Sequence, residues 1–392
     1  MDIKSLMSGI AVVIDDAYER DDEEHEDPIF QIVRNIENEW QIPFYKTASL
    51  PPENQYKNLL RSASFVLLDW KLWPSNAQEL EREGIEANVA FLNKAKEYFV
   101  PVFIFTNETL EDVTNSIEEQ SPGLYNEDDT EKNFIFVEKK SNLRQISDLV
   151  AISDWTTKNA SVYTLKSWES AFYEAKRTLF SSMYDRSPNW PRAFWSAYEK
   201  DKVDPSSSLT LLINNNLLGR FKSDVFSAQI LDSENPPVCR EEIRSLMSEA
   251  SFVKNQCLLE TEVRSGDVFD LSDNKYLINI RPDCDCIVRK ESDEIDQLEL
   301  YCLMGHTMDD EVVANRFKNK PFVEKIWESV SFGIIDGSTV QFDFRQFQIM
   351  KYKDLKTNRI GRLIHPHITK MQQRFAFYQQ RQGLPRIPQE AF

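Results

Sequence analysis

Four apolar segments in the first 150 residues each end in side chains that could do chemistry. They are Gly9–Asp16 (GIAVVIDD), ending in Asp15 and Asp16; Ser64–Trp70 (SFVLLDW), with Asp69 near its end; Val100–Asn107 (VPVFIFTN), with Thr106; and Asn133–Lys140 (NFIFVEKK), ending in Lys139 and Lys140. Neighbouring carboxylates hold a hard cation such as Mg²⁺, which brings phosphate oxygens with it. A lysine and a hydroxyl can each bind a phosphoryl oxygen, and a carboxylate can act as the nucleophile. The set therefore predicts cation-dependent phosphoryl chemistry.

A structural interpretation competes with this one. A single aspartate after a strand commonly caps a helix or forms a turn. Ligands, however, bind outside the carboxyl ends of the strands in a parallel sheet. Since four segments carry suitable side chains at that end, a shared site is the favoured interpretation.

The elements around these segments predict how they are positioned. Continuous apolar runs of this length are typical of strands buried on both faces of a parallel sheet. A further strand is predicted at 43–50, and helices at 28–40, 51–60 and 77–98. Strand and helix alternate five times, which predicts an α/β fold with a doubly wound five-stranded parallel sheet. The stretch 108–132 is long and acidic, and we expect an irregular insertion there.

Length and composition limit the class of protein. The chain has 392 residues, of which 41% are hydrophobic and 12% aromatic, enough for two or three domains with packed cores. There is no signal segment at the N-terminus and no apolar run of about 18 residues, so we expect a cytoplasmic protein without a membrane segment. The five cysteines make no disulfide framework for a chain of this size, which fits a reducing compartment.

The net charge of −18 is distributed unevenly along the chain. Residues 1–150 contain 30 acids and 14 bases, whereas residues 351–392 contain nine bases and two acids. An acidic N-terminal part repels nucleic acid and suits metal and protein partners. The basic tail could contact nucleic acid or an acidic protein surface, within one chain or between chains of a dimer.

Three domains are predicted from these patterns. Residues 1–150 form the parallel α/β domain, residues 151–258 a helical connector rich in aromatic residues, and residues 259–392 a small antiparallel β-barrel-like α+β domain with a C-terminal helix. Periodicity changes to two after residue 260, and the turn sequences SDNK (272–275) and Asp336–Gly337 separate alternating runs. Such turns predict antiparallel hairpins.

The last domain contains two weaker candidate sites. Zinc could bind to a set of cysteines and histidines, namely Cys284, Cys286, Cys302, His306, His365 and His367. The CxC spacing is loose and no second pair matches it, so buried cysteines and solvent-exposed aspartates at a strand end are favoured. The segments GDVF and RPDCD resemble those of small toxin-type ribonuclease barrels, but too few residues match to assign catalysis.

The first 150 residues also resemble a known family. IDD at 14–16, LLDW at 67–70, IFT at 104–106 and FVEK at 136–139 together resemble a bacterial response-regulator receiver domain, over residues 8–150. The resemblance implies that Asp69 accepts a phosphoryl group from the phosphohistidine of a histidine kinase. It also implies a Mg²⁺ site formed by Asp15, Asp16, Asp69 and the backbone carbonyl of Lys71. In this site Asp16 binds the ion directly and Asp15 mainly through water.

The same resemblance assigns the remaining site residues. Thr106 would turn towards the phosphoryl group, and a lysine would pair with it. Receivers carry an aromatic switch residue three positions before that lysine, which favours Lys139 because Phe136 then fits, with Lys140 as the alternative. No proline follows the lysine, and Asn107 replaces the small residue that commonly follows the threonine. These departures bear on the shape of the surface that would contact output partners and not on the phosphorylation itself.

One hypothesis concerns the rim of the predicted pocket. Lys71 and Glu108 each lie two residues beyond a site residue. We expect them to pair across the pocket mouth and, with Asn107, to hinder the attacking water and lengthen the phosphoryl lifetime.

The whole arrangement is similar to receiver proteins of Detocs-type bacterial anti-phage two-component systems. In that family one regulator drives a toxic effector and another absorbs phosphoryl groups from the kinase. This chain shows no recognisable effector enzyme, so the resemblance implies a phosphate buffer or a regulated partner-binding protein, with self-phosphotransfer and autodephosphorylation as its only reactions. Its partners would be a histidine kinase and a further response regulator or effector. The alternatives are a receiver-gated effector whose barrel and basic tail act on nucleic acid, and a degenerate receiver that only binds partners.

Overall fold

The computed structural model describes residues 3–19, 27–73, 78–126, 133–143, 149–232, 239–260, 262–287, 295–309, 311–313 and 329–380. The chain forms two compact units, one of Met1–Pro188 with Ile213–Asn235 and one of Asn189–Leu212 with Pro236–Phe392. Across the described ranges, no helix has both the length and the apolar character needed to cross a membrane.

The first unit is built on a parallel sheet. Its strands are β1 (Ile10–Ile14), β2 (Phe44–Thr47), β3 (Ala63–Leu68), β4 (Val102–Thr106) and β5 (Ile135–Lys139). They lie in the order β2-β1-β3-β4-β5, and each pair is parallel. The predicted five-stranded parallel sheet is therefore confirmed. The strand order reverses at β1, and ligands bind in α/β sheets at such a reversal.

Helices connect these strands and flank the sheet. They are α1 (Ile3–Leu6), α2 (Pro28–Asn35, continued by a π turn at Ile36–Trp40), α3 (Glu53–Ser62), α4 (Gln78–Glu97), α5 (Leu110–Gln120), α6 (Val150–Lys158) and α7 (Ala160–Arg186). The stretch 108–132, which was predicted to contain an irregular insertion, begins with a regular helix, α5. Thr109 caps α5 by accepting from the amide of Asp112, and Val113 and Ile117 are buried. Residues 127–132 lie outside the described residues.

Side chains alternate between two cores, one on each face of the sheet. Along β1, Ala11 and Val13 belong to one core, whereas Val12 and Ile14 belong to the other. Burial on both faces explains why the strands read as continuous apolar runs. Trp155 of α6 packs in the first core, with its ring centroid 5.3 Å from that of Phe103. The contacts therefore place residues 151–188 with the sheet, and the predicted boundary at 150 falls inside this unit.

The second unit is built on an antiparallel sheet. Its strands are β6 (Phe252–Lys254), β7 (Asp267–Asp270), β8 (Lys275–Asn279), β9 (Glu299–Thr307), β10 (Val330–Ile335), β11 (Ser338–Lys351) and β12 (Arg359–Leu363). They lie in the order β10-β11-β9-β8-β7-β12-β6, every pair is antiparallel, and the sheet curls into a half-barrel. The remaining helices are α8 (Trp190–Lys200), α9 (Pro205–Leu218, which runs from the second unit into the first), α10 (Ala228–Leu231, in the first unit), α11 (Arg240–Ser251) and α12 (His367–Gln379).

Both predicted hairpin turns of the second unit are confirmed. Ser272, Asp273 and Asn274 all have positive φ between β7 and β8, and Asp336 and Gly337 have φ of 46° and 77° between β10 and β11. Strands β6 and β12 were not predicted. Two arginines interrupt the apolar pattern of β12, and the structure buries them as ion-pair partners of Asp267.

Candidate functional site

The acidic side chains meet where β1 and β3 end. The backbone amide of Asp69 donates to the carbonyl of Ile14 (2.8 Å), and that of Asp15 donates to Thr47 (3.0 Å). These bonds extend the sheet ladder past the ends of the strands, so the backbone of both aspartates is fixed. Asp15 is fully buried and Asp69 is 6% exposed, whereas Asp16 is half-buried at the start of a 3-10 turn.

These three aspartates form a group with the geometry of a cation site. One carboxylate oxygen from each of Asp15, Asp16 and Asp69 lies within 4.8 Å of the others. Oxygens around one Mg²⁺ at ~2.1 Å are separated by up to ~4.2 Å, so small side-chain adjustments suffice. Oδ2 of Asp15 is buried and receives no hydrogen bond from the described residues. An all-oxygen donor set, one of whose buried oxygens receives no hydrogen bond from the described residues, fits a hard divalent cation.

The ammonium of Lys140 lies among these carboxylates. Its Nζ is 2.7 Å from Oδ2 of Asp15, 2.9 Å from Oδ2 of Asp69 and 3.5 Å from Oδ1 of Asp27. It donates a hydrogen bond to Asp69 and Asp27, whereas its approach to Asp15 is an ion pair without hydrogen-bond geometry. The Lys140 side chain is only 1% exposed. Its charge is therefore satisfied inside the pocket.

Burial and neighbouring charges shift the pKa values of this group. Burial and, to a smaller extent, the charge of Asp69 raise the pKa of Asp15 to about 7, against the opposing effect of Lys140. Burial likewise raises the pKa of Asp69 against the opposing effect of Lys140. Burial alone would lower the pKa of Lys140, but the two carboxylates outweigh it and raise that pKa. The pocket therefore holds a permanently charged ammonium beside carboxyl groups that ionise reluctantly.

The structure corrects the choice between the two lysines. Lys140, and not the favoured Lys139, contacts Asp69. Lys139 is the last residue of β5, where it pairs in register with Thr106. Lys140 begins the 3-10 turn Lys140–Leu143, and this bend carries its side chain over the edge of the sheet. A spacing rule based on Phe136 could not detect where the strand ends.

Thr106 lies at the end of β4, fully buried as predicted for a pocket residue. Its hydroxyl oxygen accepts from the backbone amide of Glu108 at 3.0 Å. In the neighbouring loop, the amide of Lys71 donates to Oδ1 of Asp69 at 3.3 Å. Lys71 Nζ lies 2.7 Å from Oε1 of Glu108, so the predicted ion pair is confirmed. It links the loops that follow β3 and β4.

Phe136 is half-buried and packs on α6. Its ring centroid lies 6.0 Å from that of Phe103 and 5.8 Å from that of Trp155. A movement of Phe136 would therefore change its packing on α6. The role of Phe136 as a switch stays a prediction. The role of the Lys71 carbonyl as a metal ligand stays a prediction.

Asp27 is a pocket residue that was not predicted. The sequence places it at the end of the acidic run 17–27, which we expect to be solvated. In the structure Asp27 caps α2: Pro28 follows as the first helical residue, and Oδ1 accepts from the amide of Ile29 at 2.9 Å. The available signal was an aspartate directly before a proline at the start of a helix.

The candidates in the second unit are not brought together as a metal site. Among the described cysteines, histidines and acids, the group formed by Asp15, Asp16 and Asp69 is the one with metal-binding geometry. Cys286 and Cys302 are buried as predicted, and burial raises their pKa values to about 11 and about 12, whereas Cys284 is exposed, contrary to the prediction. Asp283 and Asp285 are exposed, as predicted for aspartates at a strand end.

Comparisons with known proteins add no further assignment. The chain finds no significant match among protein-family models, among curated proteins or among solved structures.

Proposed function

We propose that the first unit is a receiver domain that takes a phosphoryl group onto Asp69 from the phosphohistidine of a histidine kinase. One observation carries the proposal: the Asp69 carboxylate is 6% exposed, 2.9 Å from an ammonium, and grouped with two other acids at the end of a central parallel strand. A carboxylate in this setting is suited to nucleophilic attack on phosphorus.

Each residue of the pocket has its own role in the proposed phosphoryl transfer. An oxygen of Asp69 attacks the phosphorus, the P–N bond to the kinase histidine breaks, and the imidazole leaves with the electron pair. Lys140 neutralises one phosphoryl oxygen, and the hydroxyl of Thr106 donates to another. Asp15, Asp16 and Asp69 would hold the cation, with the Lys71 carbonyl as a further ligand. When bound, Mg²⁺ would neutralise charge on the phosphoryl oxygens.

The output we propose is phosphate buffering or regulated partner binding in phosphorelay signalling, within bacterial anti-phage defence. Phe136 lies on β5, the strand that leads into Lys140, and its ring packs against Trp155 of α6, so a movement of β5 would reach a helix outside the sheet. The partners are a histidine kinase and a further response regulator or effector protein.

The described part of the basic tail does not favour the nucleic-acid alternative. Arg359, Arg362 and Arg374 are 6%, 8% and 6% exposed. Arg359 and Arg362 both pair with Asp267. Buried, paired arginines cannot neutralise phosphates on a nucleic-acid backbone, so the tail offers less positive surface than its sequence indicates.

Phosphotransfer measurements test the proposal. The full chain is incubated with Mg²⁺ and either acetyl phosphate or autophosphorylated candidate kinases, and intact mass reports the added phosphoryl group. We expect incorporation into the unaltered chain, loss of incorporation in Asp69→Asn, and loss on removal of Mg²⁺ by chelation. Asp112→Asn, an exposed acid on α5, is the matched control and should incorporate normally. Equal incorporation in Asp69→Asn and the unaltered chain would exclude Asp69 as the acceptor.

A further inference from the structure

We infer that Asp27 is a positioning residue: it receives the ammonium of Lys140 when a cation enters the pocket. The inference rests on the cation site of the proposed function and adds a device that regulates it. Asp27 belongs to α2, whereas the three grouped aspartates belong to the ends of β1 and β3.

The first step is a conflict over space. Lys140 Nζ lies 2.7 Å from Asp15 and 2.9 Å from Asp69, between two of the carboxylates that form the cation group. A divalent cation that takes an oxygen from each of these residues lies in the same region at ~2.1 Å from each oxygen. Two positive charges cannot share that space, so the cation and the ammonium compete for the pocket.

The second step identifies which contact the ammonium gives up. Lys140 donates hydrogen bonds to Asp69 and Asp27, but its contact with Oδ2 of Asp15 lacks hydrogen-bond geometry. That oxygen is also the buried acceptor without a hydrogen bond from the described residues. A cation that binds this oxygen therefore displaces the ammonium from it.

The third step is the destination of the ammonium. The Lys140 side chain is 1% exposed, so an ammonium that gives up Asp15 lacks ready access to water and needs a second carboxylate besides Asp69. Asp27 lies 3.5 Å away, on the side of α2. Its Oδ1 is held by the amide of Ile29 at 2.9 Å, and Pro28 fixes the start of the helix, so this acceptor is preorganised.

A simpler role for Asp27 makes a different prediction. A fourth carboxylate could attract Mg²⁺ by its charge alone, without acting through Lys140. In that case removing the charge weakens Mg²⁺ binding whether or not Lys140 is present. If Asp27 acts by receiving the ammonium, the effect disappears when the ammonium is removed. A double-mutant cycle separates the two roles.

The experiment measures Mg²⁺ affinity by calorimetry on the full chain, with Mg²⁺ alone and no phosphodonor. The chains are the unaltered protein, Asp27→Asn, Lys140→Met and the double variant. Asparagine keeps the capping oxygen and removes only the charge. We expect Asp27→Asn to weaken binding roughly tenfold in the presence of Lys140, and by less than about twofold in the Lys140→Met background.

Controls separate this result from general effects. Glu19→Gln removes an exposed charge from the turn that follows Asp16 and should leave Mg²⁺ affinity within about twofold. The melting temperature without Mg²⁺ should fall less in Asp27→Asn than in Asp27→Ala, which also loses the cap. If Lys140→Met does not fold, Lys140→Gln serves in the same cycle.

The outcomes are distinct. An equal loss of affinity in both backgrounds, or no loss in Asp27→Asn, overturns the inference while leaving Mg²⁺-dependent phosphorylation of Asp69 intact. Failure of the unaltered chain to bind Mg²⁺ overturns the cation site of the proposed function as well. Loss that depends on Lys140 supports the inference, and it does so without any measurement of phosphoryl transfer.

Discussion

Lys71 Nζ lies 2.7 Å from Oε1 of Glu108, and this ion pair joins the loop after β3 to the loop after β4. Each partner is also tied to a site residue through its own backbone amide: Lys71 to Asp69 and Glu108 to Thr106. The pair therefore completes a chain of contacts from Asp69 to Thr106 along one side of the pocket. If Asp69 is phosphorylated as proposed, we expect this rim to hinder the attacking water.

The first prediction concerns the lifetime of phosphorylated Asp69. Lys71→Ala opens the rim and should shorten the half-life about two- to fivefold, because an exposed ion pair contributes up to ~1 kcal/mol. Asn107→Ala should act in the same direction. The measurement is the decay of the phosphorylated chain after removal of the phosphodonor. Lys94→Ala breaks an exposed pair with Glu97 on α4 and is the matched control. A half-life unchanged in both rim variants would reject the role of the rim.

The second prediction concerns the two adjacent lysines. Lys140 contacts Asp69, whereas Lys139 ends β5. Lys140→Ala should lower the rate of phosphoryl uptake at least tenfold, because it removes the charge that neutralises the phosphoryl oxygen. Lys139→Ala should remain within about threefold of the unaltered chain. Initial rates with acetyl phosphate provide the comparison, and the reverse order of the two effects would return the role to Lys139.

The site was predictable where strand patterns decide the answer. Asp15, Asp69 and Thr106 follow apolar runs, and the rule for parallel sheets places such residues at one edge. The choice of lysine was not predictable, because Lys140 reaches Asp69 through a turn whose start no local pattern shows. Asp27 was missed for a similar reason: its contact with Lys140 spans 113 residues, and sequence proximity gave no sign of it.

The fold, too, was predictable where local sequence patterns determine it and not where distant contacts do. Periodicity identified the five parallel strands and both hairpins, but it did not show where α6 packs. The sequence of an aromatic helix is equally compatible with a separate connector and with the core of the first unit. The contact of Trp155 with Phe103 shows that α6 packs on the core. Strand β12 was hidden because Arg359 and Arg362 look like surface residues until their buried partner, Asp267, is known.

The third prediction concerns Lys166, a lysine of α7 that is 2% exposed. It donates to the carbonyl of Ser64 and lies 2.9 Å from Glu169. Burial lowers the pKa of Lys166 below its ordinary value of 10.5. Between the lowered pKa and 10.5 the unfolded chain binds a proton that the folded chain does not, so this group makes stability rise with pH in that window.

Lys166→Met removes this contribution. We expect the unfolding free energy of the unaltered chain, relative to that of the variant, to increase towards pH 10 by up to about 1.4 kcal/mol per pH unit. Denaturant unfolding of both proteins from pH 7 to pH 10 measures the difference, and titrations common to both cancel. Lys176→Met, an exposed lysine on the same helix, should show no such trend. Parallel curves for the unaltered chain and Lys166→Met would contradict the prediction.

The final prediction concerns the buried ion-pair network of the second unit. Asp267 is fully buried, with Oδ1 2.6 Å from Nε of Arg362 and Oδ2 3.7 Å from Nη1 of Arg359. Its Oδ2 also accepts from the amide of Arg264 at 3.0 Å. One carboxylate thus neutralises two arginines of β12 and ties that strand to β7.

Asp267→Asn leaves both arginines of β12 without this charge, and breaking a buried pair in this way costs ~3–5 kcal/mol. We therefore expect the free energy of unfolding of the second unit, measured by chemical denaturation, to decrease by that amount. Asp296→Asn is the control, because Asp296 forms an exposed pair with Lys356 at 3.0 Å and should cost less than ~1 kcal/mol. Similar losses of unfolding free energy in the two variants would show that burial does not strengthen the ion pairs of Asp267.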